Sequence, residues 1–263
     1  MDDYYEPHWT NYLKQFDLPP SHFQDIPKDT SKFCVIVEPR EHPLLIPVLK
    51  NFMFLLKNKG WGLMIFHGNK NKEFLQKNIG EWKKVYYVNL EIDNFNRNTY
   101  NHLFTTPTLW NTIYSVGGKY ALLFQTDCLL LKDNVDKYLR YDFIGAPWKK
   151  PMHNLKNGFN GGLSLRNVET MIHITSICLP VSYEDKDSLQ ITGVANEDVY
   201  FAYHMFTNEK AFQLPSYDIA KTFSIETIYY NDPVGIHKPH SNIFETYNHY
   251  TNLLSKNMLH DKI

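Results

Sequence analysis

Asp127 is an acid in an otherwise apolar setting. The segment "KYALLFQTDCLLLKD", Lys119 to Asp133, is apolar from Ala121 to Phe124, turns polar at Gln125, Thr126 and Asp127, and is apolar again from Cys128 to Leu131. An unpaired buried carboxylate is costly, so it needs a partner. A divalent cation such as Mg²⁺ or Mn²⁺ takes hard oxygen ligands and suits the place. Capping a helix near residue 133 or pairing with a lysine would serve equally. Five other stretches carry comparable chemistry. In "GFNGGLSLR", Asn-Gly between apolar runs is a hairpin signal; Gly161 and Gly162 would also let a ligand approach the backbone, with Asn160 bonding to a polyhydroxyl group. In "ANEDVYFAYHMF", Asn196 suits an N-cap, and Glu197 and Asp198 suit the helix dipole. Either acid would also suit a general base. In "GIHKPH", His237, Lys238 and His240 cluster: an imidazole can complete a metal site, and an ammonium can neutralise a diphosphate. In "VEPREHP", Glu38 and Arg40 form either an ordinary ion pair or a contact to phosphate or base, and His67 of "IFHG" sits at the end of another strand.

Those residues must be positioned by regular elements. The pattern predicts strands over 32–38, 61–68, 84–90 and 120–125, separated by helical spacing over 42–60, 71–80 and 99–116, with a break near Pro107. Strands alternating with helices of this length predict an α/β fold, a mostly parallel sheet flanked by helices. Ligands of such sheets bind at the carboxyl ends of the strands, where Glu38, His67 and Asp127 fall. The second half is less regular: strand-like pieces at 141–148 and 161–167, helices at 168–177 and 197–206, a loop-rich stretch at 180–196, irregular chain to 235–240, and a short C-terminal helix. Residues 1–30 read as an N-terminal extension that packs on the domain or is partly mobile. Residues 31–263 read as a single domain, with a nucleotide-binding half over 31–130 and a second-substrate half over 131–263.

Composition excludes several classes. The chain has 263 residues, a formal charge of −1 and 43% hydrophobic residues, which fits a folded protein and gives no electrostatic reason to expect nucleic acid. Cys34, Cys128 and Cys178 are scattered and show no zinc or disulfide spacing, which points to a reducing compartment. The start lacks an apolar secretory core, and no run approaches the ~18 apolar residues of a membrane span. The expectation is a soluble, cytoplasmic protein. The abundance of Asn, Lys, Ile and Tyr hints at an AT-rich genome and is compatible with a large DNA virus, in which case the compartment is the host cytoplasm.

The order "VEPREHP", "WGLMIFHG", "LFQTDCLL", "YDFIGAPW", "GFNGGLSLRN", "NEDVYF", "GIHKP" resembles glycosyltransferase-type proteins grouped as a domain of unknown function in bacteria, fungi and large DNA viruses. "YDFIGAPW" followed by "GFNGGLSLRN" is the most specific part. The resemblance covers roughly residues 33–240 and implies a GT-A fold, in which a nucleotide-sugar domain merges with an acceptor-binding half. It implies a sugar donor linked to a nucleoside diphosphate, UDP by default, and a glycan or glycoprotein acceptor. The Asp-x-Asp element of such enzymes reads Gln125-Thr126-Asp127 here, so the first acid is absent. Asp127 and His237 would then hold Mn²⁺ or Mg²⁺, and Lys238 would touch the diphosphate. Asp198 would be the base of an inverting reaction and Glu197 an acceptor ligand, or the reverse. Asn160, Gly161 and Gly162 would face donor sugar or acceptor, with Trp148 as an apolar platform for a sugar ring. Two rivals stand beside this reading. One is a metal-dependent nucleotidyltransferase, against which the absence of a P-loop and of paired acids counts. The other is a degenerate module that binds glycans or serves a structural role.

Overall fold

Short β-branched and aromatic runs that end at glycine, histidine or a turn build the sheet. The computed structural model describes residues 7–23, 26–27, 29–150, 155, 157–178, 182–184, 191–238 and 247–259. His240, and residues 180–181 and 185–190 of the loop-rich stretch, lie outside the described residues. From the N-terminus the chain runs through α1 (Pro7–Lys14), β1 (Lys32–Val37), α2 (Leu45–Leu55), β2 (Trp61–His67), α3 (Lys72–Ile79), β3 (Tyr86–Asn89), α4 (Arg97–Phe104), α5 (Pro107–Ser115) and β4 (Tyr120–Phe124). It continues through β5 (Cys128–Leu130), β6 (Phe143–Pro147), β7 (Phe159–Asn167), α6 (Val168–Ile177), β8 (Ser182–Glu184), β9 (Ile191–Val194) and α7 (Glu197–Phe206). It closes with α8 (Tyr217–Phe223), β10 (Ser224–Ile225), β11 (Gly235–His237) and α9 (Tyr247–Lys256).

The central sheet has six strands in the order β3-β2-β1-β4-β7-β6. β1 is parallel to β2 and β4, and β2 to β3. β7 is antiparallel to both β4 and β6. The α/β architecture with a mostly parallel sheet flanked by helices is the one expected. The four strands of the first half fall where periodicity places them. The helical run over 99–116 divides into α4 and α5 just ahead of Pro107, which takes the first position of α5. α2 is shorter than the apolar spacing suggests. Pro47 has no N–H to give, so it is tolerated in the first turn and fixes a start at Leu45.

Helices seal both faces. On α2, Phe52 stacks on Phe124 of β4, with ring centroids 4.0 Å apart. Trp9, Tyr12, Leu13 and Phe16 of the first helix and its exit are all buried in the same core. A second, small sheet, β10-β11-β5, pairs β10 parallel and β5 antiparallel to β11. Its strands are only two or three residues long, and side chains supply what the short ladder lacks. Asn51 of α2 is fully buried and bonds both ways with Leu130 of β5: its amide donates to Leu130 O at 2.9 Å, and its carbonyl accepts from Leu130 N at 2.8 Å. Tyr12 OH also donates to Leu130 O. Two helices thus hold the strand that carries the chain away from Asp127.

Candidate active site at the strand ends

The carboxyl ends of β1, β2, β4 and β6 and the start of β7 share one rim, because β7 runs opposite to β4 with Leu163 facing Phe124. Gln125, Thr126 and Asp127 form a tight turn there, closed by Cys128 N–H donating to Gln125 O at 3.1 Å. β5 then leaves the turn and meets β11 with Cys128 opposite His237. That pairing brings a distant histidine to the turn: His237 Nε2 lies 3.6 Å from Asp127 Oδ1. Lys238 follows with φ +46°, and its N–H donates to Asp127 O. His237 is 1% exposed.

These residues fit a small hard cation. Asp127, Cys128 and His237 each bring a ligand atom within 4.8 Å of the others. Asp127 Oδ1 is buried and accepts no hydrogen bond among the described residues. Such an orphaned oxygen beside an imidazole nitrogen suits Mn²⁺ or Mg²⁺. Cys128 also packs the turn: its thiol donates to Gly162 O at 3.1 Å and accepts from Gln125 N–H at 3.2 Å. Burial, and then the charge of Asp127, push the Cys128 thiol well up. Gln125 places Oε1 3.2 Å from His237 Nε2 while its amide donates to Tyr100 OH at 2.7 Å.

The glycines of "FNGGLS" are placed by this arrangement. They do not form a hairpin; they lie within β7, where the register against β6 shifts between Gly145 and Pro147. A bulge re-aims a strand beside a site, and Asn160 stabilises it by accepting from Gly162 N–H at 2.7 Å. A Cβ on Gly162 would overlap the His237 ring, and one on Gly161 would overlap the Glu197 carboxylate. Two consecutive residues of one strand therefore abut the cation cluster and the start of α7.

At that start, Glu197 Oε2 meets Arg166 Nη1 at 2.7 Å, with side chains 9% and 0% exposed. Charge attraction holds this buried pair. The guanidinium lies over the rings of Phe143, Phe201 and Trp110, at 4.7, 5.1 and 5.7 Å, and its Nε donates to Ser164 Oγ. Beside it, burial first and then the Glu197 charge push the Asp198 carboxyl up to about 7. Asn196 does not cap α7 with its side chain. Asn101 of α4 does that work instead, accepting from Glu197 N–H at 3.1 Å, while Asn196 accepts from Arg97.

The remaining expected residues divide. Glu38 and Arg40 sit at the rim as a bidentate pair, Nε–Oε1 and Nη2–Oε2 both at 2.8 Å, with the Arg40 side chain half exposed. His67 is buried, with Nδ1 2.8 Å from Gly68 O. Asn71 of the next loop donates to the carbonyls of Glu38 and Arg40, tying the ends of β1 and β2 together. Trp148 corrects the expectation of an apolar platform for a sugar ring. It is 6% exposed and packs with Leu155, Ala195, Val199 and Ala202, its ring filling the space left by Gly158. Four residues were not singled out from the sequence: Arg166, Tyr100, Asn101 and Glu226. Glu226 follows β10, and its Oε1 is 3.6 Å from His237 Nδ1. Burial pushes its carboxyl up, as does Asp127, while Lys238 opposes the shift. A separate cleft of about 430 Å³, lined by residues including Asp142, Glu169, His173 and His204, lies at the opposite end of β6 and β7 and takes no part in this cluster.

Fold and rim together define the class: an α/β protein with a mostly parallel sheet and a candidate cation site at its strand ends. The chain belongs to the family described as "Protein of unknown function (DUF5672)", which matches residues 84–237. No curated protein matches the chain. Among solved structures it is similar to a cytidylyltransferase from Leptospira borgpetersenii serovar Hardjo-bovis (strain JB197), at 11% identity and TM-score 0.43, over 88% of this chain and 98% of that one. It is also similar to the apo-form glycosyltransferase GlyE of Streptococcus pneumoniae TIGR4, at 11% identity and TM-score 0.43, over 86% of this chain and 62% of that one. A second GlyE structure matches at TM-score 0.41, over 63% of its length. The chain thus spans less than two thirds of GlyE. Among the described residues no helix is long and apolar enough to cross a membrane.

Proposed function

We propose that the chain is a glycosyltransferase that moves a sugar from a nucleoside-diphosphate donor, UDP first among them, to a hydroxyl of a glycan or glycoprotein. The observation that carries this reading is the meeting of Asp127 and His237 at 3.6 Å on the sheet rim; Gly162 of β7 abuts that histidine and Gly161 abuts Glu197, the residue before Asp198. Residues 31–130 make the donor half, with Glu38, Arg40, His67, Gln125 and Thr126 on the nucleotide side. Residues 131–263 make the acceptor half, with Asn160, Gly161 and Gly162 between the two.

Asp127 and His237 would hold Mn²⁺ or Mg²⁺, which would supply charge stabilisation for the leaving diphosphate. Lys238, adjoining Asp127 through its backbone, adds a positive charge to the same group. Asp198 takes the proton of the acceptor hydroxyl as it attacks from the face opposite the leaving group, which inverts the anomeric carbon. A base is most effective when its pKa lies near the working pH, and burial has brought Asp198 to about 7. Glu197 is engaged by Arg166, which favours Asp198 over Glu197 as the base.

A thermal melt with each nucleoside diphosphate, with and without Mn²⁺, tests the reading. UDP with Mn²⁺ should raise the melting temperature, by an amount set by ligand concentration over Kd. The same protein should release UDP from a UDP-sugar without releasing phosphate from a nucleoside triphosphate. If no nucleotide shifts the melt, the reading fails in favour of a glycan-binding module, which the amide at Gln125 in place of an acid would then explain.

A further inference from the structure

The small sheet places a second carboxylate on His237. β10 runs parallel to β11 with Ile225 opposite Ile236, so the next residue, Glu226, arrives level with His237. His237 in turn lies opposite Cys128 of β5. The imidazole therefore stands between two acids, with Asp127 Oδ1 3.6 Å from Nε2 and Glu226 Oε1 3.6 Å from Nδ1. The Glu226 side chain is 14% exposed, so water does little to screen it from the ring. A neutral imidazole ligates through the nitrogen that lacks the proton, and a carboxylate at the other nitrogen keeps the proton there. Gln125 Oε1, 3.2 Å from Nε2, would accept a hydrogen bond from an N–H on that side, and a proton on Nε2 blocks ligation.

We infer that Glu226 is the positioning residue of the cation site, holding the His237 proton on Nδ1 so that the Nε2 lone pair faces the cation gripped by Asp127. This rests on the reading of Asp127 and His237 as a Mn²⁺ or Mg²⁺ site. It adds a function for a residue remote from Asp127 in sequence. It also explains how one inner carboxylate can suffice: the second acid acts through the histidine.

The test uses the full chain without nucleotide. Mn²⁺ is titrated calorimetrically into wild type, Glu226→Gln, Glu226→Ala and Asp127→Ala. Asp127→Ala should abolish uptake, and both Glu226 variants should weaken it about 10- to 100-fold, the usual effect of losing an outer partner. Uptake by both Glu226 variants within twofold of wild type overturns the inference. Absence of uptake by wild type, or uptake by Asp127→Ala equal to wild type, overturns the cation site itself and the inference with it. A wild-type measurement can also overturn the inference without a variant. With saturating Mg²⁺ as the diamagnetic probe, nitrogen NMR of His237 should show the proton on Nδ1. A proton on Nε2 overturns the inference even if the Glu226 variants fail to fold.

Discussion

His237 Nε2 stands 3.6 Å from Asp127 Oδ1 because β11 pairs antiparallel with β5, setting His237 opposite Cys128. The contact is therefore a property of strand register. A slip of one residue would turn the histidine to the other face of its strand. Register here is pinned from outside, by Asn51 and Tyr12 on the backbone of Leu130. A bulged β7 then brings Gly162 against the ring and Gly161 against the start of α7.

The two glycines should separate the two halves of the site. In Gly162→Ala the added methyl meets a buried imidazole. The ring must move, and Mn²⁺ affinity should fall at least tenfold, with a loss of about 1–3 kcal/mol from overpacking. In Gly161→Ala the methyl meets the Glu197 carboxylate and the Arg166 guanidinium instead. Stability should fall by a similar amount and turnover should drop, but Mn²⁺ uptake should stay near wild type. Calorimetry and urea unfolding on the two proteins check the contrast. Equal loss of Mn²⁺ binding in both would show that the bulge acts as one unit.

Asp198→Asn should gain stability as it loses turnover. The carboxyl titrates near 7 in the folded chain and near its ordinary 3.8 when unfolded. Between those values the folded state holds a proton that the unfolded state has released, so stability falls as pH rises through the window. The shift sets an upper bound of about 4 kcal/mol on that cost. The amide removes it and still offers an oxygen to Val199 N–H, the bond Asp198 Oδ1 now accepts at 2.8 Å. Urea unfolding should show the variant about 1–3 kcal/mol more stable than wild type at pH 8 and equal to it near pH 4. Wild-type kcat/KM should rise with pH around a midpoint near 7, since a base must be ionised. A variant that loses UDP binding would move Asp198 out of the base role.

How much of this is legible in sequence depends on element length. The strands β1, β2 and β4 are five to seven residues of nearly unbroken apolar chain, and such runs announce themselves. Asp127 is legible as a polar residue at the end of such a run. The strands β5, β10 and β11 have two or three residues each, too few for any period. Their pairing, which gives His237 its neighbours and makes Glu226 relevant, is tertiary information. Asn160-Gly161-Gly162 misleads locally, since the same dipeptide that turns a hairpin also permits a bulge, and the choice is made by the packing of His237 and Glu197. Trp148 misleads for a related reason: its partners at Ala195, Val199 and Ala202 come from the start of a distant helix. Arg166 sits in "LSLRN" with nothing nearby to mark it. Its burial follows from an aromatic box supplied by α5, β6 and α7.

That buried arginine makes the sharpest energetic prediction. Removing one partner of a buried ion pair leaves the other charge without compensation, at a cost of about 3–5 kcal/mol. Arg166→Met and Glu197→Gln should each be destabilised to that degree. The double variant Arg166→Met/Glu197→Gln should recover much of the loss, because the apolar box of Phe143, Phe201 and Trp110 accepts a thioether as readily as a guanidinium. A double-mutant cycle in urea measures the coupling, which should be several-fold larger than the ~0.2–1 kcal/mol of an exposed pair. The double variant also reports on the base. Glu197 pushes the Asp198 carboxyl up more strongly than Arg166 draws it down. With both charges gone, Asp198 should titrate lower, and the midpoint of any residual pH–rate profile should move below that of wild type. An unchanged midpoint would mean that burial alone sets the carboxyl and that the ion pair serves the fold without tuning the chemistry.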